Sequence, residues 1–352
     1  MTINRHKLMK QKRHRRKKVW KFIGVPLLVL LLATTSYGAY LYYVAKDTLG
    51  AASKDNELSE REKSDKRSDK VNPKNDNISI LFMGVDDSDS REYGTATRTD
   101  ALILATFNEN QKTVKLVSIP RDSYVHFPFN NDYDKINHAH VFGGVEGTVQ
   151  TVEELFDIPV DYYVKLNFNA FIDMVEALGG IEVDVPITFS EQDSKDRKNA
   201  IRLKKGLQTL TGEEALALAR TRKIDNDIER GKRQQLVLEA IIKKAISVGS
   251  VTKYGNLIEA VGTNMKTNMT FEEMLSFHDY ATAGSNFSIQ SLQLEGEDDY
   301  INRVYYYKLK DESVQSLKQE LKTHLEVNSK SDPSHVAQPL DDNTDLPDEK
   351  QS

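Results

Sequence analysis

Four clusters of polar residues stand beside short apolar runs, and their side chains are of the kinds that handle phosphate. Gly84-Val85-Asp86-Asp87 closes one run and Thr97-Arg98-Thr99-Asp100 opens the next. Asp86 and Asp100, each beside a strand end, would suit a hard divalent cation such as Mg²⁺ (or Mn²⁺), which takes oxygen ligands and shares them with substrate phosphates. Turns favour aspartate just as strongly, so the pair alone does not separate a metal site from loop chemistry. The third cluster, Ile119-Pro120-Arg121-Asp122 followed by Asp134-Lys135-Ile136-Asn137-His138-Ala139, contributes Arg121 and Lys135. The fourth is the densest: Ala219 to Gln235 holds Arg220, Arg222, Lys223, Arg230, Lys232 and Arg233. Arg220 and Arg222 flank a predicted helix end, while Arg230 and Gln234, four apart, share one helical face. Guanidinium forks match phosphate oxygens bidentately, so arginines gathered round carboxylates and a metal fit a pyrophosphate. A solvated charged loop is the plain alternative for this run. Against it, Arg98, Arg121 and Lys135 arise independently at other strand ends. His138 and His140 fit packing or the lining of a channel better than acid–base work. Ser118 and Ser123 have no base beside them in sequence, which gives covalent catalysis little support.

The elements that must carry these clusters alternate between strand and helix. Ile78 to Val85 is a short apolar run, and Ala101–Phe107 and Thr113–Ile119 flank the turn Asn108-Glu109-Asn110, which signals a hairpin. Val160–Phe168 reads as a strand, Ala170–Leu178 as a helix stopped by Gly179-Gly180, and Ile181–Val185 as the next strand, together a strand-helix-strand unit. Thr211 with Glu214 forms a capping box for a helix ending near Arg220, and Thr270 with Glu273 opens another over Phe271–Tyr280. An amphipathic helix is expected over Arg230–Ile246. The pattern predicts a layered α/β domain with helices covering a central sheet, whose polar strand ends are where open sheets bind ligands.

Composition narrows the classes. With 39% hydrophobic and 29% charged residues the chain of 352 is neither disordered nor polytopic as a whole, and having no cysteine it can carry no disulfide, thiolate nucleophile or Fe–S cluster. Walker A, dinucleotide-binding, HExxH and GxSxG motifs are absent. Residues 1–21 carry about ten basic groups and no acid, so the net charge of −5 conceals about −15 on the remainder. Phe22–Ala45 runs without a charge for long enough to span a bilayer, with tyrosines at its far end and cations before it. The positive-inside bias then predicts a single-pass type II cell-membrane protein, its tail 1–21 cytoplasmic and the rest outside. A cleaved signal peptide is the weaker alternative, since no small-residue cleavage site precedes Ala51. Residues 46–76 read as a polar extracellular stalk, 77–326 as the catalytic domain and 327–352 as a disordered acidic tail. Nucleic acid is not an expected partner of so acidic a domain.

The blocks GVDD, TRTDALILATFN, VSIPRDSYV, KINHAHVFGG, VKLNFNAFIDMVEALGGIEVDVP, LTGEEALALARTRK and GKRQQ, in this order from about Asn77 to Val248, resemble the LytR-CpsA-Psr (LCP) family. The resemblance implies an α/β/α sandwich with a central mixed sheet and a hydrophobic tunnel for lipid. It also implies a Mg²⁺-dependent phosphotransferase of Gram-positive cell walls. Such an enzyme moves a teichoic acid or capsular polysaccharide from a polyprenyl-diphosphate carrier to the C6 hydroxyl of N-acetylmuramic acid in peptidoglycan. By motif position Asp86 and Asp100 would handle the metal, Asp86, Arg98 and Arg121 would act in catalysis, and Arg98, Arg121, Lys135, Arg220, Arg222, Asp227, Arg230 and Gln234 would bind the pyrophosphate. The choice of Asp227 over Asp225 is open, because the loop before it varies in length among relatives. Asp86 as the general base and a metal-lowered hydroxyl pKa are both open. Two rival functions use the same site: a polyprenyl-diphosphate phosphohydrolase, and a non-catalytic polyprenyl-phosphate-binding regulator, against which the paired acidic positions argue.

Overall fold

The computed structural model describes residues 61–85, 97–222, 226–247, 264–277 and 287–327, together with 36–37, 39–40, 42–44, 46–47, 57–58, 224, 259–260, 262 and 280. The basic tail, most of the expected span, Asp86 and all of the acidic tail but Val327 therefore lie outside the described residues. Among the described residues no helix is long and apolar enough to cross a membrane.

The chain opens with β1 (Ile78–Val85), apolar on both faces as a central strand must be. Leu81 and Met83 enter one core while Ile78 and Ile80 enter another. β2 (Thr99–Asn108) and β3 (Thr113–Ser118) form the expected antiparallel hairpin, from Ile103↔Ser118 to Asn108↔Thr113. A small hairpin, β4 (Tyr124–Phe127) and β5 (Asp132–Lys135), leads directly into α1 (Ile136–Phe156). β6 (Tyr162–Leu166) follows, then α2 (Phe168–Ala177), capped by the Asn167 side chain accepting from the Ala170 N–H, and β7 (Ile181–Val185). Next come β8 (Phe189–Glu191), β9 (Ile201–Leu203) and β10 (Gly206–Leu210). α3 (Gly212–Arg220) carries the expected Thr211/Glu214 capping box, and α4 (Asp227–Ser247) follows it. The remaining elements are β11 (Met265–Thr267), α5 (Phe271–Ser276), β12 (Ser288–Gln293), the hairpin β13 (Gly296–Ile301) and β14 (Val304–Leu309), and α6 (Asp311–Leu325).

Among the described residues the main sheet has six strands in the order β11-β6-β1-β2-β3-β12. It is mixed: β6 runs parallel to β1 and β12 to β3, whereas the other pairs are antiparallel. One face packs against α1 and α6 through Val149, Val152, Phe156, Leu317 and Leu321; on the other, Leu238 and Ile246 of α4 meet Ile103, Phe107 and Leu116. The expected α/β sandwich with a central mixed sheet is thus present.

Four expectations change. β7 pairs with β10 and not with the main sheet, so the strand-helix-strand unit is divided between two sheets. Its alternation explains this: Ile181, Val183 and Val185 are buried while Glu182 and Asp184 are exposed, a pattern for a ribbon with one wet face. The helix after Thr270 stops at Ser276, short of Tyr280. α1 carries the KINHA motif, yet its glycines hide the helical period. Gly144 bends it at φ +62°, and a Cβ at Gly143 or Gly147 would meet the Phe129 ring at about 3 Å. Finally, residues 57–58 and 61–76 of the expected stalk 46–76 are fastened to the domain. Leu58 is buried in the main core, Arg61 Nη2 and Ser64 Oγ donate to Glu153 at 2.6 and 2.5 Å, and Arg67 forks onto Asp161 at 2.9 and 2.7 Å. Charge-assisted hydrogen bonds hold a segment too polar to bury much apolar surface.

Candidate active site

The three elements α2, α3 and α4 do not close on the sheet above β1, β2 and β6. They leave a cavity of about 250 Å³ walled by Phe82, Ile103, Val164, Phe171, Leu216 and Ile241, among other apolar side chains. The same cavity is lined by Asp100, Arg220, Arg222, Arg230 and Gln234, so a long apolar slot ends in a cationic mouth. Local structure aims these groups. Arg220 is the last residue of α3, Thr221 caps that helix with its N–H on Ala217 O, and Arg222 follows it. Arg230 and Gln234 lie one turn apart on α4 and both line the cavity, as their spacing predicts.

Three carboxylates tie the cations together. Arg121 Nη1 donates to Asp100 Oδ1 at 2.7 Å, and Arg222 Nη2 reaches the same oxygen at 3.5 Å. Asp227 stands 3.0 Å from Arg230 Nη1, 3.6 Å from Arg121 Nε and 4.0 Å from Arg222 Nε. Asp122 accepts from Lys135 Nζ at 2.8 Å and lies 3.4 Å from Arg121 Nε. Asp227, over which Asp225 was the rival, therefore sits at the centre of the cluster; Asp225 is outside the described residues. Asp122 was passed over as a site residue, although the sequence IPRD displays it. Within this set burial disfavours the Asp122 carboxylate, but Lys135 and Arg121 overcome that and hold its pKa below the usual range. Burial opposes the Arg121 cation too, and Asp100, Asp122 and Asp227 outweigh it.

Arg230 behaves differently. It is only 4% exposed, and burial, reinforced by Arg222 and Arg121, pushes its pKa down to about 10 in spite of Asp227. It remains a cation at neutral pH. Its Nε and Nη1 and the Nε of Arg121 are buried without a hydrogen-bond partner; Nη1 is within ion-pair range of Asp227 but lacks hydrogen-bond geometry. Buried donors held unsatisfied at a cavity mouth form a preorganised anion site, because an incoming oxyanion supplies the bonds the fold withholds.

The other expected residues divide. Arg220 lines the cavity but spends Nη2 on the carbonyls of Gln192 and Asp193 and lies over the Phe168 ring, while Gln234 reaches Ala219 O at 3.4 Å. Arg98 is exposed at the start of β2 and forms no ion pair among the described residues. Arg233, in the same basic run, turns inward to hold the carbonyls of Leu218 and Thr221, so it fixes the α3 terminus. Lys232 pairs with Glu229 on the exposed face. His140 is buried with Nδ1 on Thr97 O, and burial lowers its pKa; His138 bonds Asp134. Both fit the packing expectation.

For a divalent cation, Asp100 is the one expected ligand among the described residues. No group of three metal-ligating side chains occurs among the described residues. Both arginine contacts to Asp100 fall on Oδ1, while Asp86, the other expected ligand, lies outside the described residues. A carboxylate on the wall of a cavity lined by arginines suits an ion that keeps most of its other positions for water and substrate.

A family model described as the LytR_cpsA_psr family matches residues 41–323. The polyisoprenyl-teichoic acid–peptidoglycan teichoic acid transferase TagT of Bacillus subtilis (strain 168) is 42% identical over 323 residues, which is 90% of this chain and 98% of that protein. Among solved structures, TagT bound to LI-WTA aligns with a TM-score of 0.64 at 42% identity, over 76% of this chain and 98% of the other. A TagT structure with bound octaprenyl pyrophosphate lipid aligns with a TM-score of 0.61 at 40% identity, with coverage of 76% and 98%. Since the matched region takes in the sheet, the apolar slot and every residue of its arginine mouth, the chain belongs to the LytR_cpsA_psr family.

Proposed function

We propose that the protein transfers an anionic glycopolymer, a teichoic acid or capsular polysaccharide, from a polyprenyl-diphosphate carrier to the C6 hydroxyl of N-acetylmuramic acid in peptidoglycan. The observation that carries this reading is the apolar cavity ending at Arg222 and Arg230, which is complementary to a molecule with a long hydrocarbon chain and a diphosphate head. Relatives named as teichoic acid transferases, and one that holds octaprenyl pyrophosphate, support it.

In this reading the acceptor oxygen attacks the phosphorus that bears the glycopolymer. A phosphodiester forms, the P–O bond inside the diphosphate breaks, polyprenyl phosphate leaves, and the hydroxyl proton passes to a base or to water. Arg121, Arg222 and Arg230 surround the bridging region and stabilise charge as it moves onto the leaving phosphate. Asp227 and Asp122 orient those guanidinium groups before substrate arrives, and Lys135 adds charge from the far side. Arg220 and Gln234 line the cavity, and Arg98, exposed just before β2, would add its charge to the diphosphate. Asp86 and Asp100 would hold Mg²⁺ (or Mn²⁺), which when bound neutralises diphosphate charge as a Lewis acid. A single N-terminal span over 22–45 would keep the domain outside the cell, next to a donor that stays in the bilayer; the charge-free run and its basic flank support this.

The test is transfer by the purified protein from a synthetic polyprenyl-diphosphate disaccharide to peptidoglycan oligomers, with Mg²⁺ or EDTA, beside Arg121→Ala. Joined product that disappears with EDTA and in the variant is expected. Release of sugar phosphate without joining would replace the reading with a phosphohydrolase, and tight lipid binding without turnover would replace it with a regulator.

A further inference from the structure

Beyond the lipid slot and its arginines, one surface has the composition of a binding face and no assigned occupant. β13 and β14 carry Tyr300, Tyr305 and Tyr306, and the β4–β5 hairpin carries Tyr124 and Tyr133. Their rings form two groups, because Tyr305 and Tyr306 are consecutive in β14 and point to opposite faces. Tyr124 meets Tyr133 at 5.5 Å and Tyr306 at 5.0 Å, and Tyr300 meets Tyr305 at 5.6 Å. Tyr133 and Tyr300 are 56% and 68% exposed, so one ring of each group is open to a ligand.

Both groups adjoin the reaction centre. Tyr307 N–H donates to Asp122 O at 2.8 Å and Ser123 pairs with Tyr307, so β14 is zipped to the loop that presents Arg121. Lys135 Nζ, bonded to Asp122, lies 5.6 and 5.5 Å from the Tyr305 and Tyr306 ring centroids. None of these tyrosines lines the lipid cavity. The arginine cluster is therefore bordered by an apolar slot and, through Asp122 and Lys135, by an aromatic shelf.

We propose that this shelf is the acceptor subsite, where sugar rings of the peptidoglycan glycan strand stack on Tyr133 and Tyr300. The inference rests on the transferase reading for its occupant. Pyranose rings present C–H faces that pack on aromatic π faces, and Tyr places such a face at little conformational cost. Charge separates acceptor from donor. The two hairpins carry five carboxylates against three Lys and Arg, which repels a phosphate-rich polymer and tolerates a neutral or amino sugar. The Tyr305 and Tyr306 hydroxyls are already held by Asp298 and Asp134 at 2.9 and 3.3 Å, which fixes the ring planes in advance.

The experiment measures binding of uncross-linked glycan-strand oligomers to the full-length protein in nanodiscs by calorimetry, alongside acceptor and donor KM. Tyr133→Ala/Tyr300→Ala should weaken oligomer binding and raise acceptor KM by about tenfold, roughly 1.4 kcal/mol. Octaprenyl pyrophosphate affinity should be unchanged, and Tyr133→Trp/Tyr300→Trp should restore binding. Undetectable oligomer binding to the wild type, binding unchanged in the Ala variant, or an equal loss of donor affinity would each overturn the subsite. If oligomers bind and the Ala variant loses them while the wild type transfers nothing, the shelf stands and the transferase reading falls.

Discussion

The two faces of the central sheet are built from similar residues and treat them in opposite ways. Against α1 and α6 the apolar side chains pack together and the charged groups are paired, although Asn137 Oδ1 and His140 Nε2 of α1 are buried without a partner. Asp157, at the end of α1, is met by Lys66, Lys318 and Lys322 at 2.5, 3.1 and 2.5 Å, and the buried His324 ring lies between Thr106 Oγ1 and Thr113 Oγ1 at 2.7 and 2.8 Å. Against α2, α3 and α4 the packing stops short, and guanidinium nitrogens of Arg121 and Arg230 are buried without hydrogen bonds. A paired cluster spends its interaction energy on folding, whereas an underpaired one keeps that energy for a ligand. The contrast separates structural from functional charge better than residue type or burial does.

The comparison breaks most visibly at Arg230. Arg230→Ala should lower transfer about 10²-fold or more while Tm changes little, because Asp227 keeps Arg121 and Arg222 within ion-pair range. Equal losses of stability and activity would place Arg230 with the structural charges.

His324 tests the closed face. Burial, with Lys115 beside it, lowers its pKa to about 4 although Glu320 and Glu326 oppose this, so the folded protein keeps the ring neutral. The unfolded chain takes up a proton near pH 6.5, so the contribution is whole above that pH and declines as pH falls toward about 4. Urea unfolding at pH 7 and pH 5 should therefore differ by about 2 kcal/mol more in the wild type than in His324→Gln. An identical pH dependence in both proteins would show that the ring is protonated in the fold.

Asp157 gives the smallest effect. Its carboxyl is held far below the ordinary range by hydrogen bonds from three lysines that outweigh partial burial, so its contribution is present at neutral pH and vanishes as pH drops below about 4. The cluster is partly exposed, and Asp157→Ala should cost only about 1 kcal/mol in denaturant unfolding, less in high salt, with transfer untouched. A marked fall in transfer would mean that the strap formed by residues 61–67 and α6 communicates with the mouth.

Much of this was legible in the chain. The capping boxes at Thr211/Glu214 and Thr270/Glu273, the β2–β3 hairpin and the common helical face of Arg230 and Gln234 are local, and neighbours in sequence settle them. α1 was missed because Gly143, Gly144 and Gly147 answer to the Phe129 ring and to a bend, which no periodicity displays. Residues 57–58 and 61–76 were misjudged because Glu153 and Asp161, which anchor them, are distant in sequence.

Asp227 and Asp122 show the same limit at the site. The sequence by itself determined the alternating elements, the phosphate-directed chemistry and the family resemblance, because these depend on residue type and short spacing. Which basic residues face a ligand was decided only in three dimensions. Arg233 and Arg230 share one helix three positions apart, yet one closes a helix end while the other is left with open donors at the cavity. The physical reason is that a side chain's partners are fixed by what packs opposite it. Here those partners come from the loops after β3 and α3, brought together as α4 packs against both α3 and the sheet.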